Sequence, residues 1–199
     1  EIVKAGGRAI AVQGDITRTE DVDRLVNHTV EQLGPPSILV NNATIRSYRP
    51  LDELTFDEWR QTMATTLDGA FLCIKAAAPH LRARGEGTIV NIGGGSAHKA
   101  RPNRAHVAAA KAGLAGLTTA LAVELGPVGI TVNCIVPGKI ATSVDAHLFD
   151  DKRAAVVPTR RPARQQEIAE LVCFLCGPAC RQLTGQMLHV NGATHTPIA

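Results

Sequence analysis

The stretch at residues 85–111, GEGTIVNIGGGSAHKARPNRAHVAAAK, decides the fold of this chain. Residues 88–92 form a short run rich in β-branched side chains, which is typical of a buried strand. Three glycines at residues 93–95 follow, and they allow a sharp turn or the close approach of another molecule to the backbone. Leucines at helical spacing then predict a helix over residues 105–125. We therefore expect a strand, a tight turn and a helix in direct succession.

Lys111 lies on the apolar face of this helix, one turn after Val107 and just before Leu114. A lysine in that position is unusual, because ammonium groups are rarely buried. The side chain either extends to water along its aliphatic stem or serves a site at the end of the strand. The segment alone favours neither interpretation.

Composition limits the classes of function. The chain has 199 residues, of which 45% are hydrophobic and 20% charged, as expected for a single globular domain over residues 1–199. Its net charge of +3 is too small to indicate nucleic acid or a membrane surface as a partner. No apolar run approaches the length of a membrane span, and no signal peptide is visible.

The cysteines favour a reducing compartment. Four of the five, Cys73, Cys134, Cys173 and Cys176, fall within apolar helix or strand patterns, which predicts free, buried thiols and a cytoplasmic location. A metal site at Cys173, Cys176 and Cys180 is not predicted, because no second cluster of ligands stands at metal-site spacing.

Strands and helices alternate along the chain. Further strands are predicted at residues 8–13, 38–40, 129–136 and 186–190, and further helices at residues 22–33, 56–81 and 166–176. This order predicts an α/β fold with a doubly wound parallel sheet flanked by helices. Ligands bind at the carboxyl ends of the strands in such sheets. Those ends carry small or polar residues here, at Asp15 and residues 41–44, 93–96 and 137–142.

Several motifs occur together in this order, and their spacing resembles that of one family. They are Asp15, Asn41-Asn42-Ala43, the strand at residues 89–92, residues 108–113, residues 129–133 leading to Pro137-Gly138, residues 183–186 and residues 189–192. This set resembles the short-chain dehydrogenase/reductase family, nearest the bacterial 3-oxoacyl-[acyl-carrier-protein] reductases. The resemblance implies a Rossmann-type fold, NAD or NADP as cofactor, and a homodimer or homotetramer. It also implies a small-molecule substrate with a carbonyl, such as a 3-oxoacyl thioester, or with an enoyl group.

The resemblance starts after the family's first strand, glycine-rich turn and helix, which hold the cofactor pyrophosphate and choose between NAD and NADP. In the family's strand order, that first strand lies between residues 8–13 and 38–40, and without it an apolar edge would be exposed. We therefore expect on the order of 45 further residues upstream, more than one βαβ half-unit of ~30 residues.

The catalytic set of the family matches at one position only. Its Asn, Ser, Tyr and Lys positions fall on Thr66, Gly94, Val107 and Lys111. Valine has no proton to give, so the usual proton step cannot run through residue 107.

Four nearby side chains are candidates for a substitute acid, and for each the alternative is a solvated loop residue. Ser96 lies two residues past the Ser position, on the glycine-rich turn. His98 and His106 titrate near neutral pH, although His106 is a full helical step away from Val107. Tyr48, the only tyrosine, follows the Asn41-Asn42-Ala43 motif.

The resemblance also implies cofactor contacts. They are expected at Asp15 and Ile16, Asn42 and Ala43, Lys111, Pro137 and Gly138, Ile140 and Thr142. For Asp15 the alternative is a helix cap. Arg160, Arg161 and Arg164 are candidates for binding an acidic substrate, but a solvated charge run is the favoured interpretation.

Two classes of function remain open from the sequence. The first is an NAD(P)-dependent oxidoreductase with a non-standard proton donor. The second is a non-catalytic relative that binds a nucleotide or serves as a structural partner subunit.

Overall fold

A computed structural model describes residues 1–141 and 156–196. The helices of the described part are α1 (Thr19–Leu33), α2 (Phe56–Met63), α3 (Gly69–Arg84), α4 (Ala105–Leu125) and α5 (Gln165–Leu175). Its strands are β1 (Ile38–Asn41), β2 (Gly87–Ile92), β3 (Ile130–Pro137), β4 (Ile140–Ala141), β5 (Ala163–Arg164) and β6 (Met187–Val190).

The main sheet is parallel throughout, with the strand order β1-β2-β3-β6. β4 and β5 form a separate parallel pair beside it. The sheet carries helices on both faces. On one face Ile74 and Leu81 of α3 pack with Ile89 and Ile130, and on the other Ile168 of α5 packs with Val90 and Ile135. This arrangement confirms the predicted Rossmann-type doubly wound fold.

Every residue of β3 is buried, as are the first five of β2. Strands covered on both faces read as continuous apolar runs in the sequence, which is why these two were recognisable. Their carboxyl ends lie side by side, because Asn91 pairs with Cys134 and Ile92 with Ile135 in the parallel register. The turn after β2 and the loop after β3 therefore meet at one edge of the sheet.

The strand predicted at residues 8–13 is wrong. These residues have no ladder partner and are almost entirely exposed. Within the described residues β1 is the edge of the sheet, and Ile38 and Val40 are 45% and 40% exposed. A strand needs a neighbour to accept and donate its hydrogen bonds, and none of the described strands lies between residues 8–13 and β1.

The single helix predicted at residues 56–81 is interrupted. α2 begins with a capping box in which Thr55 and Glu58 each accept a backbone N–H from the other. A π-helical turn, Ala64–Asp68, then separates α2 from α3. Such turns are rare and frequently occur at functional sites.

The helix predicted at residues 105–125 is confirmed with both bounds. With the short turn that follows, Ala105–Val128 is long and apolar enough to cross a membrane by length and composition, which corrects the expectation that no run approaches that length. Helices in the core of a globular domain pass the same test. α4 packs on β3 and buries Leu114 and Leu125 there.

Candidate active site

A cavity of about 260 Å³ opens at the carboxyl ends of the central strands. β1, β2 and β3 each end at this edge, and the N-terminal half of α4 passes behind it. The lining residues come from the loops after these strands and from α4; they include Asn42, Thr44, Gly93, Gly94, Gly95, Ser96, Val107, Lys111, Pro137, Gly138 and Ile140. Three of the four predicted strand ends therefore form one site.

Lys111 lies at the floor of the cavity and is only 4% exposed. Its Nζ donates a hydrogen bond to the carbonyl oxygen of Ile92 at 2.7 Å. Burial lowers the pKa of the ammonium to about 8; the thiol of Cys134 opposes this shift, and the guanidinium of Arg46 adds to it. The side chain thus serves the site and does not extend to water.

Gly94 and Val107, which the resemblance assigns to the family's Ser and Tyr positions, lie beside this ammonium. Val107 is buried one helical turn before Lys111 and lines the cavity. A Cβ atom built on Gly94 would lie 3.9 Å from Cε of Lys111. The geometry that would hold the two hydroxyls is present, but neither residue carries one.

Thr66, at the position of the family's Asn, is buried on the π-helical turn. Its Oγ1 lies 3.1 Å from Oγ1 of Thr44, and Thr44 lines the cavity. The two hydroxyls form a hydrogen bond, so Thr66 is linked to the cavity through Thr44.

The candidate acids separate into two groups. Ser96 and Tyr48 line the cavity. His106 does not line it, contrary to the expectation of a catalytic role: its ring is buried, and Nε2 lies 2.7 Å from Oγ of Ser47. The physical reason is the ~100° step per helical residue, which turns position 106 away from the face shared by positions 107 and 111.

His98 also lies outside the cavity lining. Its ring packs against His189 and His195, with ring centroids 4.7 and 5.9 Å away. His195, which the sequence did not single out, lines the cavity.

The expected cofactor contacts divide in the same way. Asn42, Lys111, Pro137, Gly138 and Ile140 line the cavity, and Ala43 is exposed beside Asn42 without lining it. Thr142 lies outside the described residues.

Asp15 and Ile16 are placed away from this cavity. Asp15 lines an open groove between residues 11–15 and α1, and its carboxylate accepts hydrogen bonds from the backbone N–H and hydroxyl of Thr17. These two bonds lower its pKa. Ile16 packs against Gly69, where a Cβ atom would lie 2.8 Å from its Cδ1.

Arg104 is a lining residue that sequence reasoning missed. It is 7% exposed, and its guanidinium lies 4.5 Å from the centre of the Tyr48 ring. A signal was available, because positions 104, 107 and 111 share one face of a helix. The arginine was overlooked because it stands in a polar loop with Arg101 and Lys99, which reads as solvated.

The lining fits the nicotinamide end of NAD or NADP. The ammonium of Lys111 has three N–H donors and gives one to Ile92, so donors are available for ribose hydroxyls. Asn42 adds an amide, and the glycines at residues 93–95 let a ligand approach the backbone.

Comparison with known proteins places the chain in a family. The family model described as Enoyl-(Acyl carrier protein) reductase matches residues 1–195. A 3-oxoacyl-[acyl-carrier-protein] reductase of Synechocystis sp. is 35% identical over 193 residues, covering 96% of this chain and 78% of the relative. The short-chain dehydrogenase/reductase eriH of Hericium erinaceus is 36% identical over 197 residues, covering 96% of this chain and 78% of the relative.

Solved structures agree. A blue fluorescent protein from a metagenomic library, in complex with NADPH, is 36% identical with a TM-score of 0.90 and covers 98% of this chain and 79% of its own. A putative gluconate dehydrogenase from Agrobacterium tumefaciens is 32% identical with a TM-score of 0.92, and the match covers 99% of this chain and 80% of that protein. The chain therefore belongs to the short-chain dehydrogenase/reductase family of NAD(P)-dependent oxidoreductases.

Proposed function

We propose that this protein reduces a carbonyl group with NADH or NADPH and that Lys111 is the proton donor. The observation that carries the proposal is the buried ammonium of Lys111, which lines the cavity beside Gly94 and Val107 and has a pKa lowered by burial to about 8. Neither Gly94 nor Val107 carries a hydroxyl. A general acid works best when its pKa lies near the operating pH. Relatives named 3-oxoacyl-[acyl-carrier-protein] reductases support a 3-oxoacyl thioester as the carbonyl compound.

Asn42, Lys111, Pro137, Gly138 and Ile140 would hold the nicotinamide, and a bound NADH or NADPH would supply the hydride for the carbonyl carbon. The electron pair of the C=O bond would move to oxygen, and an N–H of Lys111 would give its proton to that oxygen. Lys111 becomes a neutral amine and regains a proton from water. The hydrogen bond to Ile92 would hold Nζ during the transfer, and the hydroxyl of Ser96, which lines the cavity, would orient the substrate.

An enoyl substrate is the variant within the same class, supported by the description of the matching family model. There the proton goes to carbon, where Ser96, His106, Tyr48 or water would supply it. The buried position of His106 disfavours that residue, because its ring nitrogens do not reach the cavity lining.

A second candidate is a subunit that binds the nucleotide or a partner protein without turnover. The specific observation in its favour is that glycine and valine occupy the two hydroxyl positions.

The test is a titration with NADH and NADPH, followed by nicotinamide fluorescence, for the parent protein and Lys111→Met. Exposed Lys75→Met, on α3, is the matched control. Saturable binding that Lys111→Met weakens supports the site. Consumption of NAD(P)H with a 3-oxoacyl thioester, lost in Lys111→Met, supports the proton donor. Binding without turnover of carbonyl or enoyl substrates would support the second candidate, and no binding would refute the oxidoreductase.

We also propose that the protein is a cytoplasmic homodimer or homotetramer assembled through α3 and α4. All five cysteines are free, as a reducing compartment requires, although of the four expected to be buried only Cys134 is, and Cys173 is exposed. Phe71 on α3 and Val123 on α4 are 45% and 80% exposed, and Ala112 and Gly116 allow close helix packing. Light scattering measures the state, and Val123→Glu should shift it toward monomer.

A further inference from the structure

The cavity concentrates positive charge. Besides Lys139, which has an interaction partner of its own, five cationic side chains line it: Arg46, Lys99, Arg101, Arg104 and Lys111. The described lining includes no carboxylate. The net charge of the whole chain is only +3. The charge is therefore local to the site and is not a property of the surface in general.

Arg104 and Lys111 are the two buried members of this set, at 7% and 4% exposed, and Arg104 is the one with an unpaired buried donor. Its NH1 reaches the hydroxyl of Tyr48 at 3.3 Å, while its buried Nε has no hydrogen-bond partner. No described carboxylate forms an ion pair with Arg104; by contrast, Arg49 in the neighbouring loop pairs with Glu58 at 2.7 Å. Burial lowers the pKa of Arg104, and nearby Arg46 and Arg101 lower it further.

The position of Arg104 at a helix end adds to the positive potential of the cavity. It is the N-cap of α4, and no acidic residue occupies the first turn of that helix. The positive end of the helix dipole thus points at the same place as the guanidinium. The loop before α4 is fixed to the loop after β1, because the backbone N–H of Arg49 donates a hydrogen bond to the carbonyl oxygen of Asn103 at 2.9 Å. A charge that stays buried without a partner is destabilising, and a ligand anion would compensate it.

We propose that the substrate carries an oxyanion, a carboxylate or a phosphate, and that Arg104 binds it while the carbonyl lies at Lys111. The inference rests on the proposed function and specifies its substrate class. The planar fork of a guanidinium suits two oxygens of one oxyanion. Arg46, Lys99 and Arg101, which line the cavity around Arg104, attract the same group.

A pair of compounds that differ only in charge tests this. Acetoacetate and its methyl ester present the same ketone, one with a carboxylate and one without. At 0.15 M salt, where attraction between exposed charges is screened beyond roughly 8 Å, we expect kcat/KM to favour the acid by tenfold or more. Dihydroxyacetone phosphate provides the phosphate arm, and preference for it over acetoacetate would assign the anion as a phosphate.

In Arg104→Gln the preference for the charged compound should be largely lost, with kcat/KM for acid and ester within a few-fold of each other, because one partner of a buried charge pair is truncated. Arg104→Lys keeps the positive charge but loses the planar fork of the guanidinium. Its preference for the acid should therefore lie between those of the parent and of Arg104→Gln. Arg84→Gln, at the opposite edge of the sheet, removes the same charge and should keep the parent preference. If Arg104→Gln does not fold, Tyr48→Phe is used in its place, because it removes the hydroxyl that accepts a hydrogen bond from Arg104. We expect a smaller loss of the preference for the charged compound in this variant.

Binding is measured separately by calorimetry, so that turnover is not required. Heat released with acetoacetate but not with its ester, abolished in Arg104→Gln, supports the inference even if no NAD(P)H is consumed. Equal kcat/KM for acid and ester, or a loss of NADPH affinity in Arg104→Gln in place of the charge preference, would overturn it. The second outcome would assign Arg104 to the cofactor.

Discussion

Gly94 lies against Lys111, and a Cβ atom built on the glycine would be in ordinary van der Waals contact with Cε of the lysine at 3.9 Å. The backbone of Gly94 is extended, so a side chain fits there without strain. The family's Ser and Tyr can therefore be restored by the double variant Gly94→Ser, Val107→Tyr. Because a positioned acid contributes ~10²-fold or more, we expect faster reduction of the carbonyl substrate in stopped-flow assays. A rate unchanged in a folded, nucleotide-binding variant would show that the proton step does not limit this protein.

Lys111→Met should stabilise the protein in the absence of cofactor. The lowering of the lysine pKa from its ordinary 10.5 to about 8 corresponds to a penalty of about 3 kcal/mol at pH 7. The lost hydrogen bond to Ile92 offsets about 1 kcal/mol of the gain. Urea unfolding should therefore show a gain of about 1–3 kcal/mol.

The sign of the pH dependence checks the cause. The unfolded chain binds this proton more tightly than the folded protein, so the stability of the parent rises as pH increases above 8. The advantage of Lys111→Met should shrink by about 1.4 kcal/mol per pH unit there. Measurement between pH 7 and 9 suffices, and a constant advantage would mean that packing and not charge is responsible.

Two adjacent glycines should respond differently to alanine. A Cβ atom on Gly93 would lie 2.6 Å from Sγ of Cys134 and 3.2 Å from the carbonyl oxygen of Ile135, whereas Gly94 has room. Gly93→Ala should cost about 1–3 kcal/mol of unfolding free energy, and Gly94→Ala less than about 0.5 kcal/mol. A double-mutant cycle with Cys134→Ala should recover part of the loss. Equal effects of the two alanines would contradict the assigned contact.

The histidine cluster should make the fold sensitive to acid. Burial lowers the pKa of His98, and His195 adds to the shift; burial and both neighbours lower the pKa of His189. The unfolded chain therefore takes up protons first, so stability is full above the ordinary value near 6.5 and is lost as pH falls through the lower folded values. His98→Asn should reduce the loss in urea midpoint between pH 7 and 5. Exposed His28→Asn is the control, and equal slopes in the two variants would refute the assignment.

The sequence predicted those elements whose own residues determine them. α4 has a continuous apolar face, and β2 and β3 are covered on both sides, so their patterns were sufficient. Residues 8–13 have a strand-like pattern, but none of the described strands lies beside them. The pattern of a short segment does not show whether a neighbouring strand is present. The apolar periodicity did not predict the break between α2 and α3, because apolar spacings of three and four residues fit one continuous helix as well as two consecutive ones.

The site was predictable to a similar degree. The meeting of three strand ends in one cavity was predicted from the parallel topology. Lys111 was singled out because a charged side chain on the apolar face of a helix is unusual. Arg104 did not follow, because its burial depends on Tyr48, which is 56 residues away in sequence. His106 stands one helical step from Val107 and does not line the cavity, as its direction around the helix indicated.

The π-helical turn at Ala64–Asp68 separates the packing of α3 from that of α2. Such a turn holds one residue more than an α-helical turn, so the extra residue is taken up as a local widening and does not displace the helices on either side. Ile74 and Leu81 therefore keep their places on the sheet, while Thr66, on the wider turn, reaches Thr44 at the cavity. The irregularity thus affects the cavity and leaves the core packing of α3 unchanged.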